Sequence, residues 1–293
     1  MVLPFWAIFG FCAACLAATM MLLQERLKVN GYALAFWNKA ACVVITLPFV
    51  LSQSLPTEPL FYVFVFLTAI LYAISDVAFF TTIPKTDAGA VSRLVPSATV
   101  LGFLLWFVID PGLALKYLDK PLVSGLILLV LCLFAFFGFR LKKCHVTLQT
   151  LRGIWFVIFA ATVGPMLSKM VTFHAGPEKG IAAYVFFQAG MMMVLWLAFL
   201  FLRKPVPIKD FFAPATWKPA LVIGCVSAGM VLLKFTSFYY VDNPAYIPAI
   251  LALDSVIILA VYKLWGKKAE GDVASGLGIV ACAAALIILK TYI

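Results

Sequence analysis

The chain has 293 residues, of which 65% are hydrophobic and 12% charged, and its formal charge is +10. The cations gather at the ends of long apolar runs and not in one basic patch, which excludes a nucleic-acid binder as well as an ordinary soluble domain. What remains is a chain solvated by lipid, where every backbone amide needs an internal partner and a helix of roughly 20 residues crosses a hydrocarbon core of about 30 Å.

The first predicted span, Pro4 to Leu23, lacks a basic leader and is followed at once by Glu25, Arg26 and Lys28, which fits a retained helix better than a cleaved signal. Its Cys12-Ala-Ala-Cys15 lies among small apolar residues and reads as packing, not as a redox or metal motif. The second span, Tyr32 to Leu51, carries Trp37, Asn38 and Lys39, and the third, Leu60 to Thr82, carries Tyr72 one turn before Asp76. Lys39 and Asp76 sit at comparable depth, so they fit either a salt bridge that joins or gates two helices or a ligand contact. The fourth span, Ala88 to Ile109, contains Pro96, and the fifth, Pro121 to Phe139, is rich in phenylalanine.

Beyond the basic connector from Arg140 to Arg152, the sixth span, Ile154 to His174, holds Gly164-Pro165, expected to break or kink it one turn before Lys169. The seventh, Ile181 to Leu202, places Tyr184 a turn before Gln188, and the eighth, Trp217 to Tyr240, contains Lys234. In the ninth, Ala245 to Lys263, Tyr246, Ile250 and Asp254 share one helical face, and Asp254 lies roughly 15 Å from the span's start, too deep for its short side chain to reach water. The tenth, Val273 to Ile288, has the small-residue spacing Ala274, Gly278, Cys282, which suits close helix contact within the fold or in a dimer. His145 and His174 are the two histidines and lie apart, so a histidine-based metal site is not expected, and the chain calls for no cofactor.

Alternate connections fall on two faces. One carries Arg26, Lys28, Lys85, Arg140, Lys142, Lys143, Arg152, Arg203, Lys204, Lys209, Lys218, Lys263, Lys267 and Lys268, which is 14 cations; the other carries Lys116, Lys120, Lys179 and Lys290, which is 4. The bias puts the 14-cation face in the cytoplasm and both termini opposite it.

Ten spans divide into halves of five, residues 1–145 and 146–293. A shift of 155 residues lays Phe80, Thr81, Asp87 and Ala90 on Phe235, Thr236, Asp242 and Ala245. A shift of 150 lays Asn38 on Gln188. Because five is odd, the second half enters the membrane in the opposite sense, so the expected fold is an all-α polytopic membrane protein of ten transmembrane helices in two inverted five-helix repeats. The turn Lys85-Thr-Asp-Ala-Gly-Ala90 and its counterpart Val241-Asp-Asn-Pro-Ala245, each leading into a fourth helix of five, resemble the drug/metabolite transporter superfamily in its ten-helix, EamA-like form. The resemblance covers nearly the whole chain through helix number and length. It implies a cavity lined by helices one to four and six to nine, with five and ten packed outside, in a bacterial inner membrane. Two departures stand beside it: members usually have cytoplasmic termini, and Glu25 lies at the end of its helix, so the coupling glutamate of the small multidrug members is not carried over.

Ionisable groups inside a span cost about 2.5–3.5 kcal/mol each, which singles out Lys39, Asp76, Lys169, Lys234 and Asp254. Lys169 and Lys234 can snorkel to the interface or join Asp254 in a Lys-Asp-Lys cluster. With Trp37, Asn38, Tyr72, Tyr184, Gln188 and Tyr246 they form the predicted substrate-binding set of a secondary transporter for an amino acid, organic acid or nucleotide-like metabolite. No ATP-binding loop is found, so the drive is a proton, with Asp254 the first candidate carrier and Asp76 the second, or exchange. The aromatic residues also suit export of organic cations or drugs, and a flippase for a lipid-linked head group is the other transport alternative. A membrane enzyme lacks the clustered acids or histidines it needs, and a receptor or scaffold has no use for buried charges. The expected partners are a small-molecule substrate and the bilayer, with the protein a monomer or homodimer.

Overall fold

The computed structural model describes residues 4–82, 88–141, 148–176, 180–204, 206–266 and 272–293. Asp87, most of the turn that begins at Lys85, Lys142, Lys143, His145, Lys179, Lys267 and Lys268 lie outside the described residues.

The described residues fold as helices α1 (Phe5–Leu27), α2 (Gly31–Ser52), α3 (Pro59–Thr82), α4 (Ala88–Ile109), α5 (Pro111–Leu118), α6 (Pro121–Arg140), α7 (Leu148–His174), α8 (Gly180–Arg203), α9 (Ile208–Phe211), α10 (Pro214–Tyr240), α11 (Tyr246–Leu251), α12 (Leu253–Leu264) and α13 (Val273–Lys290). Among them nine spans are long and apolar enough to cross a bilayer, and ten if Pro96–Ile109 and α5, joined at a bend of 109°, are taken as one. Large apolar side chains such as Val44, Leu51, Val108 and Leu202 stand exposed on the outside, the distribution expected where the solvent is lipid.

Local chemistry sets the ends. Lys28 stops α1 in the left-handed region at φ 50°, its amide bonded to Gln24 O at 2.9 Å. Asn30 opens α2 by accepting from the Tyr32 amide at 2.9 Å, and Asp110 opens α5 in the same way for Leu113 at 2.9 Å. Asp272 caps α13 through the Ala274 amide and the Ser275 hydroxyl, and these bonds hold its carboxyl below the ordinary range.

Two differences from the expected spans matter for function. The sixth span is not broken: α7 runs through Pro165 from Leu148 to His174. The ninth, Tyr246–Leu264, stays one continuous span, with a single-residue interruption of its hydrogen-bond ladder at Ala252, between α11 with Pro248 inside it and α12, where the backbone keeps right-handed helical angles. Helices α5 and α9 were not expected, because neither is long enough to register as a span.

In the bundle, α1 packs on α10, α3 on α7, and α2 on both α8 and α10, while α6 and α13 pack on each other. Close approach is secured by small residues: Gly10, Ala13, Ala14, Ala17 and Ala18 are buried on α1, and Gly278 of α13 lies flat against the Phe137 ring of α6. The small-residue stripe of the last helix is thus used, at Gly278, inside the fold.

Contacts between connections confirm the two faces. On the cation-poor face Glu58 meets His174 Nδ1 at 2.5 Å, Asp242 meets Lys290 Nζ at 2.6 Å, and Lys120 Nζ donates to Tyr292 O at 2.6 Å. On the cation-rich face the Trp37 indole donates to Phe211 O at 3.3 Å, Tyr262 bonds Glu25, and the Asp272 amide bonds Leu141 O at 3.1 Å. Every tie joins elements that the alternation assigns to one face, and both described ends of the chain lie on the cation-poor side.

Candidate functional site

Residues on α2, α3, α7, α8 and α10 converge on one polar cluster inside the bundle. On α3, Thr68, Tyr72 and Asp76 repeat every four residues and so share a face; on α8, Tyr184 and Gln188 are four apart and Trp196 follows eight later on the same face. These two faces meet α7 at Ser168. The Tyr184 hydroxyl donates to Ser168 Oγ at 2.9 Å, the Gln188 amide donates to Tyr184 Oη at 3.2 Å, and the Tyr72 ring lies against Gly164, one turn before Ser168 on α7. Tyr184, Gln188 and Ser168 are buried, and their polar atoms satisfy one another, as a low-dielectric interior requires.

The charges of the cluster come from three further positions. Lys234 of α10 holds its ammonium over the Tyr72 ring at 5.5 Å, with Phe235 and Phe238 at 5.9 and 6.0 Å, an aromatic cradle that favours a desolvated cation. Phe235 in turn stacks on Tyr184 at 4.1 Å. Asp76 interacts electrostatically with Lys39 and Lys234 and lies near the Trp196 indole of α8. The three charged side chains are half-buried.

Of the predicted residues, the structure brings together Lys39, Tyr72, Asp76, Tyr184, Gln188 and Lys234. Lys169 is directed elsewhere: its ammonium donates to Phe238 O at 2.9 Å and Tyr239 O at 3.2 Å, the last carbonyls of α10, where the helix dipole favours a cation. Asp254 lies in the first turn of α12, where it accepts from the Ser255 hydroxyl at 3.0 Å, on a helix that packs on α1 and α13. Lys169 and Lys234 therefore do not share one site, because Lys169 is bound to carbonyls at the end of α10 while Lys234 lies over the Tyr72 ring, and Asp254 sits on a helix that packs on α1 and α13. Trp37 stacks on Phe211 at 5.7 Å near the cation-rich face, and Asn38 accepts from Cys42 Sγ at 3.7 Å, so neither joins Gln188.

Tyr246 forms a second, smaller polar contact, sharing a hydrogen bond of 2.8 Å with Tyr117 of α5 in an aromatic setting of Trp6 and Phe103. This bond ties the bent-over α5 to the start of α11. Removing one hydroxyl leaves the other buried and unpaired, so Tyr117→Phe should lower the unfolding free energy by about 1–3 kcal/mol, and adding Tyr246→Phe should cost less than a second equal step. Unfolding of the three variants in detergent measures this. Beside the Tyr117–Tyr246 contact, Thr99, Gly102, Thr162, Pro165, Pro244 and Pro248 help line a crevice of about 180 Å³, its open mouth included, between α4, α7 and α11.

Thr68, Ser168, Trp196, Phe235 and Phe238 are members that the sequence reading did not select. The fourfold spacing on α3 and α8 points to Thr68 and Trp196; nothing in the order of residues points to Ser168, which reaches the cluster through a helix crossing.

Fold and site define a polytopic helical membrane protein with a charged cluster in its interior. No family model and no curated relative matches the chain. Solved structures do: 24 chains match, and one described as "Crystal structure of protein" superposes with a TM-score of 0.70 at 14% identity, over 98% of this chain and 99% of its own length. At that identity the likeness establishes the fold alone.

Proposed function

We propose that the chain is a secondary transporter that moves a small polar metabolite by alternating access between two inverted halves, as a member of the drug/metabolite transporter superfamily. The observation that carries this reading is the cluster of Lys39, Asp76 and Lys234 with Tyr72, Tyr184 and Gln188, contributed by four spans and placed away from both faces. A structural scaffold gains nothing from three ionisable groups, each of which disfavours insertion. The packing supports inverted halves: exchanging each span for its counterpart five later turns the α1–α10 contact into the α7–α3 contact and maps the α2–α8 and α6–α13 contacts onto themselves. In this reading the 14-cation face is cytoplasmic, and Asp76, which faces the lysines, replaces Asp254 as the first candidate for proton coupling.

The test is flux. Proteoliposomes should show saturable uptake of at least one labelled amino acid or organic acid, and Lys234→Met should reduce it by about 30-fold or more, the effect of losing a buried charged contact. Absence of saturable flux, together with absence of ligand-dependent stabilisation by any solute class, would exclude a transporter of small polar metabolites.

A further inference from the structure

The connection between α8 and α10 carries basic and apolar side chains together on its outer surface. Arg203, Lys204, Lys209 and Lys218 are exposed, and Asp210 is the one acid among residues 203–218, so four cations against one acid leave +3. Beside them Leu202 is 82% exposed, Ile208 57% and Phe212 55%. Ile208 and Phe212 are one turn apart and share a face. These side chains stand where two crossing helices leave the bilayer, α8 ending at Arg203 and α10 beginning at Pro214.

The segment is held from within. Phe211 is buried against the Phe36 and Trp37 rings of α2, at 5.2 and 5.7 Å, and the Trp37 indole donates to Phe211 O at 3.3 Å. Phe212 and Trp217 border the same indole at 6.0 and 6.3 Å, and the Lys218 ammonium lies over the Trp217 ring at 5.8 Å. Tryptophans beside lysines are the composition of a membrane–water boundary, and here they form a platform that presents the outer side chains of α9.

We infer that this surface binds an anionic phospholipid of the surrounding bilayer, with its phosphate among Lys209, Lys218 and the basic end of α8 and its acyl chains along Leu202, Ile208 and Phe212. Charge selects the head group: phosphatidylglycerol brings an uncompensated negative charge to the +3 segment, whereas phosphatidylcholine brings its own cation as well. The apolar side chains select a lipid over a soluble phosphate, which would use the cations and leave Ile208 and Phe212 in water. The inference needs the spans alone and not the transport reading. Because α9 lies against α2, a lipid that holds α9 also holds a contact between the two halves of the chain on the cation-rich face.

The experiment is lipid binding to the purified, delipidated full chain in detergent, read by native mass spectrometry and by the rise in unfolding temperature. The probes are dioleoyl phosphatidylglycerol, dioleoyl phosphatidylcholine and glycerol 3-phosphate, the last as a water-soluble head group. Phosphatidylglycerol should half-saturate the protein at a concentration at least about tenfold below that of phosphatidylcholine. Lys209→Gln with Lys218→Gln should raise that concentration about tenfold or more, while Arg26→Gln with Lys263→Gln, which removes the same charge from other connections of that face, should change it by less than about threefold. Excess glycerol 3-phosphate should leave the lipid bound. Equal binding of the two lipids, equal losses in the two charge variants, or displacement by glycerol 3-phosphate would each overturn the inference, the last by showing a site for free phosphate. The wild-type ranking and the competition decide even if a variant fails to fold, and none of these outcomes bears on flux, so the transport reading is tested apart from them.

Discussion

Asp76→Ala should destabilise the protein by about 1–3 kcal/mol, the usual cost of removing one member of a half-buried polar cluster. The reason lies in what remains. Lys234 is fixed over three rings and Lys39 stands on the neighbouring side of the cluster, so without the carboxylate two like charges face each other across an apolar interior. At a separation of several Å their repulsion is weakly screened there. Removing one cation should undo much of this: Asp76→Ala with Lys39→Met is expected to recover at least about half of the loss. Denaturant unfolding of the two single variants and the double variant in detergent gives the coupling directly. If the three losses simply add, the charges are not coupled and the cluster is not one unit.

The second large effect is steric. A methyl group at Gly164 would stand 2.4 Å from Tyr72 Oη and 2.7 Å from Cζ, distances at which the ring must move. Tyr72 has little room to do so, since its face carries the Lys234 ammonium. Gly164→Ala should therefore cost about 1–3 kcal/mol of stability, typical of overpacking, and displace α3 from α7. With Tyr72→Phe the nearest clashing atom is gone, so the double variant should be more stable than the sum of the single losses predicts. Unfolding of the four proteins tests this; strict additivity would show that the ring yields freely.

How much of this was legible beforehand differs from element to element. The spans were, because lipid imposes one requirement on every residue of a crossing helix, and a run such as Pro121 to Phe139 satisfies it without a single charge. So were the two faces, since lysine and arginine stay at the helix ends. Proline positions were not enough to locate a break: α7 runs on through Pro165, and the span with Pro248 loses only a single residue of its ladder at Ala252, because neighbouring helices can supply partners to the freed backbone groups. The site was half legible. Lys39, Asp76, Tyr72, Tyr184 and Gln188 are costly or polar at depth and could be selected one by one. That Lys234 joins them while Lys169 turns to the end of α10 depends on helix rotation, which apolar spans with little amphipathicity leave unspecified.

The ends of the chain meet around a single turn. Phe5 packs on the Tyr240 ring at 5.6 Å, and Lys290 holds Asp242 two residues further on. The first and last helices could thus be joined by a short linker and the chain reopened between α6 and α7, giving a circular permutant with the same contacts and the halves in reverse order. Such a chain would begin and end on the cation-rich side. Its biogenesis would set synthesis order against charge distribution, since the half that now emerges last from the ribosome would have to find its orientation first.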